Sequence, residues 1–368
     1  MRITLLQGAF FPVPPILGGA VEKMWFRLGK EFAARGHEVV QVSRAHPDLP
    51  EQEILEGVEH RRVRGYRQPG NLLQLKGLDL LYTWRAVAKV PADSDVVVTN
   101  TFWAPWLLRG RLKSRAYVDV QRLPKGQCRW YGRAVRLRAN SSPVAAAIRA
   151  EIPAHASARV GMIPNPLPFD PVPAPDLAAK QPCLLYTGRV HPEKGLHLLV
   201  QAMARLPEPW TLEVVGPWET GQGGGGESYL QQLEKLAPTG RVTFHGPVYD
   251  PERLAAHYAK ARVFVYPSLA EQGETFGLAP LEAMAHGAVP VVSNLACFQD
   301  FITQDQNGWI FEHRAANPVE KLADALCTLT ADASSRDRLA TAAWKVNETH
   351  APGRIAELFL ADFAELIR

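Results

Sequence analysis

Glu274 to Glu282 (ETFGLAPLE) sets two carboxylates around a short loop and the start of a helix. Pro280 stands where a first-turn proline belongs, Leu281, Ala283, Met284 and Ala285 favour helix, and Gly287 stops it. Phe276, Gly277 and Leu278 therefore lie at the helix N-terminus. Unbonded backbone N–H groups and the positive end of the helix dipole favour a diphosphate there, and Gly277 permits close approach. Glu274 before the helix and Glu282 inside it can accept hydrogen bonds from hydroxyls on either side of that diphosphate. Sugar hydroxyls on one flank and ribose hydroxyls on the other suit this arrangement. A surface helix with ordinary acidic residues has the same composition, so further residues must decide.

Three other stretches invite a chemical reading. Asp93-Ser94-Asp95 has the Asp-x-Asp spacing that can hold a divalent ion on a donor, but it directly precedes the apolar run Val96 to Val98, which predicts a strand-start or turn role. Gly221 to Gly226 (GQGGGG) resembles a phosphate loop, yet Glu227 stands where such a loop requires lysine. A flexible loop is the expectation. The cysteines Cys128, Cys183, Cys297 and Cys327 form no CxxC pair and have no histidine at metal-ligand spacing, which points to reduced thiols in the cytosol.

The elements that must position these residues follow one plan twice. Ile3 to Leu6 reads as a strand, Gly8 to Gly19 as a loop, and Val21, Met24, Trp25, Leu28 and Phe32 recur at helical spacing up to a stop at Gly36. His37 to Ser43 is the next strand. In the second half Cys183 to Thr187 is a strand, Gly188 to Gly195 a loop, Leu196 to Leu206 a helix and Thr211 to Val215 a strand. Further strands are expected at Val242 to Phe244, Val263 to Tyr266 and Val289 to Val292. Alternating strands and helices predict two doubly wound α/β domains facing one another across a ligand-binding cleft. The linker is predicted at Pro164 to Pro182, with seven prolines in nineteen residues. A last apolar stripe (Ile355, Leu358, Phe359, Phe363, Leu366) reads as a packing helix.

Taken together, these residues resemble the retaining GT-B glycosyltransferases of family 4 (glycosyl transferases group 1) over nearly the whole chain. The resemblance rests on the E-x7-E segment Glu274 to Glu282, on the G-R-x4-K-G loop after a strand (Gly188-Arg189 with Lys194-Gly195), and on Gly18-Gly19 followed by Glu22. It implies two Rossmann-like domains: residues 1–168 for the acceptor, with residues 352–368 packing back on them, and residues 169–351 for the nucleotide sugar. It further implies that Arg189 and Lys194 grip the donor diphosphate and stabilise charge on the leaving group, that Glu282 binds the ribose and Glu274 the transferred sugar, and that the amides of Phe276 to Leu278 meet sugar and phosphate. Gly18 and Gly19 let the N-terminal loop close over the diphosphate, and the backbone near Val248 meets the base. His245 beside it reads equally well as a packed or exposed loop histidine. The implied reaction moves a hexose-type sugar, with retention and with no bound metal or cofactor, to a glycan or lipid-linked acceptor in cell-surface polysaccharide or glycolipid biosynthesis.

Two departures qualify that reading. Where many relatives place a histidine facing the donor sugar, the strand Ala116 to Val120 is followed by Gln121 and the strand Val96 to Thr99 by Asn100. Gln121 can hydrogen-bond a hydroxyl but cannot shuttle a proton. Ala296-Cys297 stands where many relatives carry paired glycines. A nucleotide-sugar-binding protein without transferase activity is therefore the alternative.

Composition bounds the remainder. The 368 residues suit two domains, and 46% hydrophobic with 21% charged residues marks a globular protein. Met1 to Leu6 is too short for a signal-peptide core, and no stretch approaches the roughly 20 apolar residues of a membrane span. A cytoplasmic protein, peripheral at the inner face of the membrane, is expected. Residues 1–165 carry 25 Lys/Arg against 13 Asp/Glu, and residues 166–368 carry 16 against 24. Much of the excess falls between Arg109 and Arg138 (Arg109, Arg111, Lys113, Arg115, Arg122, Lys125, Arg129, Arg133, Arg136, Arg138). Such a stretch suits an anionic membrane or a phosphorylated acceptor, or is a solvated face with no partner. Nucleic acid is not expected, for no recognisable module interleaves aromatics with these cations.

Overall fold

The computed structural model describes residues 1–131 and 136–367, which divide into two compact units: Met1–Phe169 with His350–Arg368, and Asp170–Thr349. The first unit contains β1 (Arg2–Leu6), α1 (Ala20–Ala34), β2 (Glu38–Arg44), β3 (Gln52–Leu55), β4 (Val58–Val63), α2 (Leu72–Val87), β5 (Val96–Thr99), α3 (Ala104–Leu107), β6 (Ala116–Val120), β7 (Arg136–Ala139), α4 (Ser142–Glu151) and β8 (Val160–Met162). Its sheet runs β3-β4-β2-β1-β5-β6-β7-β8, parallel except for the β3–β4 pair. Ile3 aligns with Val39 on one side and Val96 on the other. Strands buried on both faces explain the continuous apolar runs.

The second unit contains β9 (Gln181–Thr187), α5 (Leu196–Ala202), β10 (Thr211–Val215), α6 (Glu227–Leu236), β11 (Val242–Gly246), α7 (Pro251–Lys260), β12 (Ala261–Tyr266), α8 (Leu278–Ala285), β13 (Val289–Ser293), β14 (Trp309–Phe311), α9 (Pro318–Ala331), α10 (Ala333–Trp344) and α11 (Val346–Thr349). Its strands are all parallel in the order β11-β10-β9-β12-β13-β14. The direction of winding reverses between β9 and β12. In such sheets the crevice beyond the carboxyl ends of those two strands is the natural ligand site. The chain then returns to the first unit as α12 (Pro352–Ile367), where Phe359 packs on Trp25 with ring centroids 5.0 Å apart and Phe363 on Phe32 at 5.8 Å. The sheet of that unit is thus covered by α1 and α12 on one face and by α2, α3 and α4 on the other.

Residues 163–180 between β8 and β9 have no helix or strand, but they are pinned. The Val172 N–H donates to Asn347 Oδ1 at 2.9 Å, and the Trp344 indole donates to the Val172 carbonyl at 3.1 Å. Lys180, buried against α7 and β12, donates to the carbonyls of Tyr258, Ala259 and Ala261, and burial lowers its pKa to about 8.

Two sequence expectations need correction. Gly223 to Gly226 is a bonded turn, not a slack loop, because their four N–H groups donate in turn to the carbonyls of Thr220, Glu219, Val190 and Trp218 at 2.7–3.0 Å. The basic stretch Arg109 to Arg138 is not one open face. Arg138 is fully buried on Asp119, Arg136 pairs with Asp362, Arg115 donates to the Leu366 carbonyl and Arg111 pairs with Asp95. A guanidinium lifted out of water needs a carboxylate, and Asp119 supplies it. Arg133 lies outside the described residues. Arg109, Lys113, Arg122, Lys125 and Arg129 remain exposed.

Candidate functional site

Loops after β9 and β12 meet at the reversal point of the second sheet. After β9 the chain passes Gly188 and Arg189, makes a tight turn at Pro192–Lys194, and enters α5 through Gly195 at φ 68°. A Cβ on Gly195 would sit 2.0 Å from the Pro267 carbonyl oxygen in the loop after β12, so only glycine lets the two loops touch. That contact brings Lys194 to Glu274. The ammonium forms an ion pair with Glu274 Oε1, both side chains being about nine-tenths buried. Ser268 Oγ donates to the same oxygen at 3.0 Å. Lys194 Nζ also lies over the Tyr266 ring, 5.7 Å from its centroid, and Tyr266 stacks on Tyr186.

Arg189, more exposed, donates to Glu193 Oε1 at 2.6 Å and to the Gly223 carbonyl at 2.7 Å. Its own carbonyl accepts from Tyr186 Oη at 2.8 Å. Burial pushes the Tyr186 and Tyr266 hydroxyls well above the ordinary tyrosine range, with Glu274 adding to the effect. Both therefore stay neutral donors at physiological pH.

Helix α8 begins at Gly277, at φ 103°, where a Cβ would lie 2.6 Å from Phe298 Cε1. Phe276 is buried and packs on Phe301, ring centroids 5.4 Å apart, which fixes the entry to the helix. Leu278 is its first residue. Glu282, one turn on and half-buried, interacts with the buried Tyr258, whose hydroxyl also meets Thr187 Oγ1 at 2.7 Å. Val248, half-buried, follows β11 and precedes Asp250, which caps α7. His245 is part of β11 itself and exposed, not in the loop beyond it. Cys297 is buried near this loop cluster; burial first, then Glu274, pushes its thiol up to about 12, so it is inert.

One group with metal-ligand character, among the described residues, comprises Glu213, His245 and His257, whose ligand atoms all lie within 4.8 Å of one another. Glu213 is already paired with Lys260 and lies 2.6 Å from His257 Nδ1. Asp93 and Asp95 likewise serve structure: both carboxylates hold Arg2, Asp95 through its backbone N–H, and Ser94 Oγ lies 2.8 Å from Thr4 Oγ1.

In the first unit Gly18 and Gly19 have φ 82° and 94°, and Gly19 caps α1. Glu22 in the first turn is buried, which raises its carboxyl pKa. Gln121 follows β6 as expected, but its amide is engaged: Nε2 donates to Asp119 at 2.8 Å, and Oε1 accepts from Asn140 and Asn165 at 3.2 and 3.1 Å. Asp119 in turn holds Arg138 and the Trp25 indole. Asn100 follows β5, with a buried Oδ1 that has no hydrogen-bond partner among the described residues.

The fold therefore brings Arg189, Lys194, Glu274, Phe276, Gly277, Leu278, Glu282 and Val248 to one unit, and leaves Gly18, Gly19 and Gln121 in the other. Sequence reasoning missed Ser268, Tyr186, Tyr266 and the Asp119–Arg138 pair. Only the last left a trace, as the lone charge Asp119 inside the run Ala116 to Val120.

Comparison with known proteins bears on this arrangement. Residues 173–346 match the model of the family described as Glycosyl transferases group 1. The D-inositol 3-phosphate glycosyltransferase of Xylanimonas cellulosilytica is 35% identical over 171 residues, 45% of this chain and 38% of that protein. The sulfoquinovosyl transferase SQD2 of Arabidopsis thaliana is 32% identical over 171 residues, 46% of this chain and 31% of that protein. The matched segment thus spans about a third of the length of these relatives. Among solved structures, sucrose-phosphate synthase from Thermosynechococcus elongatus aligns over 100% of this chain and 99% of its own with a TM-score of 0.79 at 22% identity. Anabaena Alr3699/HepE, solved in complex with UDP and glucose, aligns over 99% and 100% with a TM-score of 0.70 at 19% identity. At these identities the likeness is one of fold, and it bears out the expected pair of Rossmann-like α/β units.

Proposed function

We propose that the chain is a retaining glycosyltransferase that moves a hexose-type sugar from a nucleoside diphosphate sugar to a glycan or lipid-linked acceptor, with no bound metal. The observation that carries this reading is the buried Lys194–Glu274 pair beside the glycine-capped start of α8, at the point where the sheet reverses. A lysine and a carboxylate that neutralise each other without ligand can separate onto opposite parts of a donor. Lys194, with Arg189, then meets the diphosphate, while Glu274 accepts from sugar hydroxyls.

In the reaction the bond between the anomeric carbon and the diphosphate oxygen breaks, and the acceptor oxygen bonds that carbon on the same face. The departing phosphate oxygen takes the acceptor proton. Negative charge grows on the leaving diphosphate, where Lys194, Arg189 and the backbone N–H groups of Phe276 to Leu278 at the start of α8 stabilise it. Glu282 and the backbone near Val248 are assigned to ribose and base. No step requires Gln121 to carry a proton.

The test is turnover of a panel of UDP-, GDP- and ADP-sugars, read as sugar transferred, by the parent and by Lys194→Ala and Glu274→Ala. Loss of transfer in both variants supports the reading; transfer at the parental rate in either refutes it. A second reading, donor binding without transfer, is favoured by the engagement of the Gln121 amide with Asp119, Asn140 and Asn165. Any transfer above the no-enzyme rate eliminates it.

A further inference from the structure

Glu213 is the one charged residue of β10, and it is 8% exposed. A carboxylate taken out of water needs partners, and α7 brings two of them, His257 and Lys260, three residues apart and so on one helix face. Lys260 forms an ion pair with Glu213 Oε1, which already neutralises the acid. The other oxygen, Oε2, nevertheless faces two imidazoles, with His257 Nδ1 at 2.6 Å and His245 Nε2 at 3.7 Å. The second distance is too long for a hydrogen bond, so the needs of the carboxylate do not account for His245.

His245 reaches this place through an irregularity in the sheet. Val214 pairs with Phe244, but Val215 pairs with Gly246, which leaves His245 as the extra residue of a bulge in β11. A bulge re-aims a side chain at the cost of a position in the ladder. Because β11 is the edge strand, the cluster opens to solvent on the His245 side. The two imidazole centroids are 4.8 Å apart, and the ligand atoms of Glu213, His245 and His257 all lie within 4.8 Å of one another. Donors held roughly 2.0–2.2 Å from a tetrahedral zinc ion lie roughly 3.3–3.6 Å from each other. The 2.6 and 3.7 Å spacings at Oε2 fall on either side of that range, and small side-chain rotations bring both into it.

We propose that Glu213, His245 and His257 form a three-ligand zinc site, with water as the fourth ligand on the exposed side. Two imidazoles and one carboxylate suit Zn²⁺, whereas Mg²⁺ and Ca²⁺ take oxygen ligands. Lys260 on Oε1 leaves Oε2 to the ion and orients the carboxylate, as outer partners do in metal sites. The ion clips the edge strand and α7 to β10. None of the three ligands is among the groups assigned to the donor, so the site holds the fold and does no sugar chemistry. It therefore stands or falls independently of the sugar-transfer reading.

The experiment is isothermal titration of the full chain with Zn²⁺, after EDTA treatment and dialysis and with the thiols kept reduced. One ion should bind per chain and raise the midpoint of thermal unfolding. His245→Ala and His257→Ala should each weaken binding at least about tenfold. Circular dichroism checks that both variants are folded, and His245→Ala, at the exposed rim, decides alone if His257→Ala is not. Co²⁺ in the same site should show the d–d absorption of four-coordinate cobalt without a thiolate charge-transfer band, which separates this site from the four cysteines. Excess Mg²⁺ should not displace the zinc. The proposal is overturned by absence of stoichiometric zinc binding, by parental affinity in the folded variants, by a cobalt–thiolate band, or by displacement with Mg²⁺.

Discussion

Breaking the Lys194–Glu274 pair should cost far more than removing it whole. Their side chains are 8% and 10% exposed, so neither charge is well solvated. Removing one partner of a buried pair strands the other charge, which costs about 3–5 kcal/mol, whereas replacing both by neutral groups of similar size is often nearly neutral. Lys194→Met leaves Glu274 with the Ser268 hydroxyl as a remaining donor. Glu274→Gln leaves Lys194 over the Tyr266 ring and still offers an amide oxygen. Each neighbour recovers part of the loss, so single-variant costs of about 3 and about 2 kcal/mol are expected, in that order. The double variant should lie within about 1 kcal/mol of the parent, giving a coupling of about 4 kcal/mol. Urea unfolding of the four proteins measures this, with equal m values confirming that the same transition is compared. Additivity of the single costs within about 0.5 kcal/mol would refute the pairing.

Three further outcomes follow from particular groups. Burial lifts the Asp79 carboxyl from 3.8 to about 6, partly opposed by the Phe102 N–H, so the folded state favours its protonated form. Its stabilising contribution, about 3 kcal/mol at about 1.4 kcal/mol per pH unit, is full below about pH 4 and lost as pH rises through about 6; Asp79→Asn should flatten the urea-measured stability over that window. Gly277→Ala forces a side chain into φ 103° and onto the Phe298 ring, which should cost about 2–3 kcal/mol in unfolding and weaken nucleotide binding by calorimetry. Because Arg189 and Lys194 are assigned the leaving-group charge, EDTA should leave the sugar-transfer rate unchanged, and a rate restored only by added Mg²⁺ would contradict that assignment.

Much of the fold was legible because its signals are local. Gly36 and Gly287 end helices with positive φ, and unbroken apolar runs mark strands covered on both faces. The segments around Glu274 and Lys194 were legible for the same reason, each being a strand, loop and helix contiguous in sequence. What escaped depends on distant partners. Arg138 reads as one cation in a basic stretch until β6 brings Asp119 beside it. Ser268 acquires meaning only when Gly195 lets the two loops touch. Helix α2 went unread, and periodicity alone would not have told that Leu73, Leu81 and Trp84 face outward, since it gives faces without saying which one the core covers. GQGGGG suggests slack by composition, and only the carbonyls of Thr220, Glu219, Val190 and Trp218 make it a turn.

The central claim is that a nucleoside diphosphate sugar is held where the second sheet reverses, gripped by Lys194. Isothermal titration of the full chain with UDP, GDP and ADP, repeated on Lys194→Ala, tests it most directly. One of the three should bind with one-to-one stoichiometry, and the variant should bind it at least about tenfold more weakly, as loss of a charge-assisted contact to phosphate requires. Binding of none of the three, or equal affinity in the variant, would contradict the account.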